Sequence, residues 1–436
     1  MSPVTMGIIG ICILLVLLFL KMPIGFAMGL VGFVGYWWVR DMSPALSMIS
    51  LVTYSEATAY MMSALPLFIF MGWLAAYGEL SKDAFSALHR WVGHWRGGLS
   101  MSTVIACAAF GAVCGSSMAT AVTMVPVALP EMRKYKYDDE LSLGCIAAGG
   151  NLGFLIPPSL AFIIYAILTE ESIGALFMAG ILPGLLLTFL FSVTIYVLCR
   201  INPQLGPSGP RASWRERLVA LKGMWGIIVL FILVMGGIYG GFFTPTEAAA
   251  VGAFGALVLG LVNRQLTWRR FITTLLETGK TTAMVFVLII GAIIFSRFMT
   301  ISTIPVNLAR FIGALTIPDY AILAAILMLY VLVGFFMEII SVLVITIPIF
   351  YPVILAMGFD PVWFGVLAVL TMLMGSISPP FGILVFAVAG MVKEVPIFRI
   401  FKGAMPFLVA MFVCLIILVA FPQISLLLPH LMLPYR

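Results

Sequence analysis

Apolar residues in this chain come in long runs, with the polar positions gathered between them. Such runs fall near 4–20, 24–39, 59–78, 141–166 and 174–199, then near 223–241, 245–263, 281–300, 363–391 and 402–425. About 20 apolar residues suffice for a helix to cross a bilayer, so each run predicts a membrane span. Alternating segments of about ten residues, the mark of a membrane barrel, do not occur. The run Val4–Leu20 is followed rather than preceded by Lys21 and shows no small-residue cleavage site, so it is expected to be a retained span.

Two stretches break the pattern. Gly98–Glu131 is uncharged until its end, too long for one span, and flanked on both sides by basic clusters. It predicts a re-entrant hairpin, about 98–131, turning at Val113–Ser117. A second hairpin, about 320–356, turns near Gly334–Ser341. Non-helical backbone at membrane depth persists only where protein buries it or it lines a cavity.

Composition agrees. The 436 residues are 63% hydrophobic and only 9% charged. Soluble domains carry charge on about a quarter of their residues. The fold class is therefore an all-α polytopic membrane protein. The formal charge of +6 belongs to the loops, and no nucleic-acid partner is expected. The six cysteines show no CxxC spacing and read as packing residues.

The chain is written twice. Adding 222 carries Pro126 and Pro130 onto Pro348 and Pro352, Asp138 onto Asp360, Gly153 onto Gly375, and Pro157 and Pro158 onto Pro379 and Pro380. Pro23 maps to Pro245, and Pro183 to Pro406 after a one-residue shift. Basic clusters at 82–96, 133–136, 200–222, 264–280 and 393–402 mark the cytoplasmic side. Five spans per copy then make the copies inverted. Residues 264–280 are basic while their counterpart 42–58 has no Lys or Arg, as inversion requires. The expected organisation is a first repeat at 1–200 with its broken helix at 141–166, a solvated cytoplasmic linker at 201–222, and a second repeat at 223–436 with its broken helix at 363–391.

Each copy carries a break in mid-span. "GGNLGFLIPPS" (149–159) and "GSISPPFG" (375–382) combine helix-weakening glycines with two prolines. A broken helix exposes carbonyls at one new end and N–H groups at the other, suiting a cation and a carboxylate respectively. Interrupted helices at matching positions of inverted repeats point to a transport site. The candidate residues are Gly115, Ser116, Ser117, Asn151, Gly153 and Pro157 in one half. In the other they are Glu338, Ser341, Gly375, Ser376, Ser378 and Pro379. Each break is expected to face a hairpin tip. Glu338 reads as a cation ligand or gate-orienting group, or else as a helix cap or an Arg297 partner. Thr244 is expected to cap the helix whose first turn holds Glu247. Ser81–Gly98 predicts a basic amphipathic helix at the interface, an anchor or a brace, with His89 and His94 interfacial.

The motifs "GAVCGSSMATAVTMVPVALPEM", "GGNLGFLIPPSLAFIIYAILTEESIGALFMAGILPG", "FTPTEAAAVGA" and "ITIPIFYPVILAMGFDPVWFGVL" resemble the large membrane subunit of tripartite ATP-independent periplasmic (TRAP) transporters. The likeness runs from "KMPIGFAMG" to the last helix, with Ser378 where a threonine is expected. The resemblance implies sodium-driven uptake of an organic acid (carboxylate) in the bacterial inner membrane. It implies two partners, a periplasmic substrate-binding protein and a small four-helix membrane subunit, and an elevator-type fold of scaffold and transport domain. It also implies sodium at Ser116, Ser117, Asn151 and Gly153, and at Gly375, Ser376 and Ser378 near Glu338 and Ser341. A stand-alone dicarboxylate or citrate-type carrier would share the repeats without needing a binding protein. A passive channel would not accumulate its solute. An intramembrane enzyme would need a nucleophile–base pair or a metal cluster, and the chain offers three histidines, none near the breaks.

Overall fold

A computed structural model describes residues 2–313 and 317–432. Met1, 314–316 and 433–436, which fall inside the two expected repeats, lie outside the described residues. Among the described residues every regular element is helical.

The expected spans appear as helices. In the first half these are Pro3–Phe19, Ile24–Val39, Ala64–Tyr77 and Ile173–Ile201. In the second they are Trp214–Tyr239, carrying one π-helical turn, then Pro245–Val262, Trp268–Ile301 and Ile397–Ala420. Among the described residues seven helices are long and apolar enough to cross a bilayer, and the bent pair Asp139–Leu155 with Leu160–Thr169 makes eight. The second break separates Pro361–Ile377 from Ile383–Met391. Pro3–Phe19 and Ile24–Val39, expected as full spans, stop one or two residues short of that length. Ser213 and Thr244 close capping boxes with Glu216 and Glu247, the second as expected.

The halves exchange partners. Ile24–Val39 packs on Trp268–Ile301, and Pro245–Val262 packs on Ala64–Tyr77. The offset of 222 turns one pair into the other with the halves swapped. Likewise Leu160–Thr169 packs on Ile339–Ala356, and Ile383–Met391 on Ser117–Lys134. Such reciprocity is what two inverted copies around a pseudo-two-fold axis produce. Small residues allow the closest approaches. A Cβ on Gly144 would strike the backbone of Gly403, and one on Gly403 the backbone of Glu140.

Three connections differ from expectation. Residues 42–58 form a helix, Met42–Thr58, matching the basic start of Trp268–Ile301. The linker is not simply solvated. Gly206 O accepts from Gly97 N (2.9 Å), Leu205 O from Asp138 N (3.1 Å), and Pro207 O from the Tyr137 hydroxyl (2.8 Å), so it is tied to the first half. It also ends early, because helix resumes at Trp214. The amphipathic helix Leu80–Val92 buries Leu80, Ala84 and Phe85 between Gly98–Cys114 and Trp214–Phe231. The Trp91 indole N–H donates to Arg217 O at 2.9 Å, so this helix is a brace between elements of the two halves.

Candidate functional site

The first hairpin consists of Gly98–Cys114 and Ser117–Lys134, joined by Gly115 and Ser116 alone. Gly115 takes φ +65°, a turn that glycine makes without steric penalty. The tip sits directly on the first break. Gly115 O accepts the N–H of Leu160 at 3.2 Å. The second half-helix thereby gains an acceptor that its own chain segment lacks. Ser159, between Pro158 and Leu160, spans the gap: its hydroxyl donates to Phe154 O (2.5 Å) and accepts from Phe162 N (3.5 Å). The Ser117 hydroxyl donates to Asn151 O at 3.4 Å. Gly153 lies so close that an added Cβ would stand 2.6 Å from Thr120 Oγ1 and 2.7 Å from Ser116 O.

Asn151 is fully buried and joins the two halves. Its amide nitrogen donates to Leu373 O at 3.0 Å, and residue 373 is its own counterpart at the repeat offset. The Ser376 hydroxyl stands 2.9 Å from Asn151 Oδ1 and 2.8 Å from Leu373 O. Its single proton serves one acceptor at a time. The Asn151 amide oxygen is thus within reach of the Ser376 hydroxyl as an acceptor. One lone pair remains on that oxygen, and a hydroxyl that donates its proton keeps its own lone pairs for a cation.

The second half assembles differently. Gly375 packs on Gly334, where a Cβ would stand 2.7 Å from the Gly334 backbone. This matches Gly153 on Gly111 in the first half, also 2.7 Å from the position a Cβ would take. The tip Phe335–Glu338 has four linking residues, between Asp319–Gly334 and Ile339–Ala356. The Glu338 carboxylate accepts Ile340 N at 3.1 Å and so caps the returning arm. Of the readings offered for Glu338, the cap is seen as a hydrogen bond, and among the described residues no ion pair joins it to Arg297. Ser341 is buried beside that cap. Gly375, Ser376 and Ser378 follow one another at the second break, but the two hydroxyls have different partners. Ser376 turns to Asn151, while Ser378 donates to Met374 O (2.7 Å) and, with Pro379, lines an apolar groove. Pro157 is buried, but Pro379 is exposed.

A cavity of about 320 Å³ lies between the two tips, lined by Ser116, Ala119 and Thr123 of one and Glu338 and Ile340 of the other. Phe154 and Leu160 of the break, and Trp73, Thr281 and Met284 of the long helices, complete it. The helices beginning at Ser117 and Leu160 both start at its wall. The partial positive charge of two helix starts therefore lies beside it. Through Thr123 it adjoins a vestibule of about 770 Å³ bearing Lys82, Arg90, Lys134, Glu79, Glu131 and His89. Burial pulls the His89 pKa below its usual range, against the opposing charge of Glu131, which favours the neutral imidazole. The cavity therefore sets a few oxygen groups, at Ser116, Thr123, Thr281 and Glu338, in a mostly apolar wall beside two helix starts.

Sequence reasoning did not single out Thr120, Ser159 or the long-helix residues. Thr120 is four residues from Ser116 and so shares its helix face. Ser159 stands at the N-cap position before an apolar run. Trp73, Thr281 and Met284 belong to no repeated motif.

Residues 11–424 match the family described as "Tripartite ATP-independent periplasmic transporter, DctM component". The chain belongs to this family. It is 36% identical over 384 residues, 88% of this chain and 89% of the other, to the C4-dicarboxylate TRAP transporter large permease protein DctM of Pseudomonas aeruginosa. It is 33% identical over 420 residues, 96% and 97% of the two chains, to the sialic acid TRAP transporter large permease protein SiaM of Vibrio cholerae. It is 36% identical over 364 residues, 83% and 84%, to the ectoine/5-hydroxyectoine TRAP transporter large permease protein UehC of Ruegeria pomeroyi. Its fold is like that of the YdaH transporter of Alcanivorax borkumensis, with a TM-score of 0.66 at 18% identity, over 89% of this chain and 88% of that one. This TRAP permease is a multi-pass protein of the bacterial inner membrane and a transport protein rather than an enzyme.

Proposed function

We propose that this TRAP permease imports an organic acid by coupling it to sodium. The solute is handed over by a periplasmic binding protein, and a small four-helix membrane subunit completes the permease. Sodium is bound among Ser116, Ser117, Asn151 and Gly153, with Gly375 and Ser376 contributing from the second half. The carboxylate sits in the cavity between the tips, attracted by the partial positive charge at the starts of Ser117–Lys134 and Leu160–Thr169. Alternation follows an elevator scheme, in which the hairpins and breaks travel as one body against the long helices. The observation that carries this reading is the buried polar cluster at the first break, tied through Asn151 to Leu373 and Ser376. Polar side chains gathered inside an otherwise apolar span are characteristic of substrate and ion pathways. Relatives named for C4-dicarboxylate and sialic acid support an acidic solute.

The test is uptake in proteoliposomes containing the chain, its small subunit and the loaded binding protein. Accumulation is expected with an inward sodium gradient and not with potassium. Omitting the binding protein is expected to abolish it; uptake that persists would favour a stand-alone carrier. Asn151→Ala and Ser116→Ala are expected to weaken sodium dependence while leaving insertion intact. An unchanged sodium response in both would overturn the site.

A further inference from the structure

Two grooves on the outer surface are counterparts in the repeat. One runs between Gly98–Cys114 and Ile173–Ile201, walled by Met101, Ile105, Phe189 and Val193. The other runs between Asp319–Gly334 and Ile397–Ala420, walled by Leu323, Leu327, Phe412 and Ile416. The repeat offset, with its one-residue shift in the last helix, carries each wall residue of the first onto one of the second.

The walls agree and the rims do not. The first groove, about 1060 Å³, is also lined by Trp95, Arg96, Tyr196 and Arg200. The counterpart positions are Ile317, Pro318, Val419 and Gln423. No carboxylate lines the first groove. Arg96 and Arg200 are exposed, and neither guanidinium has a hydrogen bond or ion pair among the described residues. Both lie in basic clusters that the excess of positive charge assigns to the cytoplasmic side.

We propose that this groove is a binding site for an anionic phospholipid of the cytoplasmic leaflet. An acyl chain lies along Ile105, Phe189 and Val193, and the phosphate sits between Arg96 and Arg200. Charge complementarity selects the occupant: two unpaired guanidiniums hold phosphate oxygens by charge-assisted hydrogen bonds. Basic pockets between membrane helices on this side recognise anionic head groups. Free phosphate satisfies the arginines but leaves the apolar wall unfilled, whereas a lipid satisfies both. Trp95 and Tyr196 occupy the interfacial level that suits amphipathic rings. The counterpart groove offers the same kind of wall without charge and takes lipid with no head-group preference.

The experiment is native mass spectrometry of the full chain in detergent, with phosphatidylglycerol and phosphatidylethanolamine supplied at equal concentration. A preference of about tenfold for phosphatidylglycerol is expected, equivalent to about 1.4 kcal/mol. Arg96→Ala with Arg200→Ala is expected to remove the preference, and Arg96→Lys with Arg200→Lys to retain part of it. Arg264→Ala with Arg269→Ala, which removes the same charge elsewhere, is expected to leave it intact. Equal retention of the two lipids by the unaltered chain overturns the proposal, independently of how any variant folds. So does a preference that survives in the double alanine variant, or one lost equally in the distant control. Displacement of the lipid by millimolar inorganic phosphate would make this a free-anion site and also overturn it.

Discussion

The two Pro-Pro breaks occupy the same position in their repeats but not the same surroundings. At Pro157 and Pro158 the chain is wholly buried, because Gly115 and Ser116 fold onto the gap and Ser159 bridges it. At Pro379, Pro380 and Phe381 it is exposed, touched by its own tip through the Phe336 and Phe381 rings 4.9 Å apart. A two-residue tip closes tightly over its break, whereas a four-residue tip with two phenylalanines holds its break more loosely. One motif, copied, has therefore become a sealed polar core in one half and a half-open edge in the other.

Substitution at the sealed break should have the largest effect. Gly153→Val drives atoms into Thr120 and the Ser116 carbonyl, and overpacking of this kind costs about 1–3 kcal/mol. A lowered thermal midpoint in detergent and loss of uptake are expected; a native midpoint would show that the tip does not seat there. Asn151→Leu comes next. It removes the amide donor to the Leu373 carbonyl and one acceptor of the Ser376 hydroxyl, which keep their 2.8 Å bond to each other, and a lost hydrogen bond costs about 0.5–1.5 kcal/mol. Its sodium activation curve should shift, while that of Ser378→Ala, which loses one local bond to Met374, should not. A shift in the second variant would return Ser378 to the ion site. Phe381→Ala removes the ring contact with Phe336. One aromatic pair contributes roughly 1 kcal/mol, and a loss of that order is expected. A loss as large as that of Gly153→Val would erase the distinction between the breaks. The smallest effect is expected for Arg399→Gln, which removes an exposed pair with Asp138 at 3.4 Å. Such pairs contribute about 0–1 kcal/mol, so thermal midpoints at low and high salt should differ little from those of the unaltered chain.

Much of this was legible from residue order, for physical reasons that can be named. Spans are visible because lipid demands continuous apolarity, and the repeat because prolines and glycines hold backbone positions that other residues take at a cost. The capping box at Thr244 and Glu247 was readable because it is local. What was not legible depends on contacts across the fold. Helix Met42–Thr58 carries several serines and threonines and one acid, so hydropathy gave no sign of it. Ser376 and Ser378 are two residues apart and equally polar, yet they face different neighbours. The linker reads as solvated because Pro, Gly, Ser and Arg are shared by loose and fastened segments; only its backbone partners at Gly93, Gly97 and Asp138 reveal the fastening.

The bond from Asn151 to Leu373 has a consequence for how a duplicated chain can diverge. Most positions have a twin some distance away, and either member can drift alone. Here the twins touch, so whatever one becomes is the other's environment. Two asparagines would present matching amides to one another across the axis, while two leucines would remove the amide donor that the Leu373 carbonyl now has beside the Ser376 hydroxyl. An unlike pair satisfies both members. The contact thus makes the ancestral symmetry unstable at its own centre, where a single side chain answers to both copies.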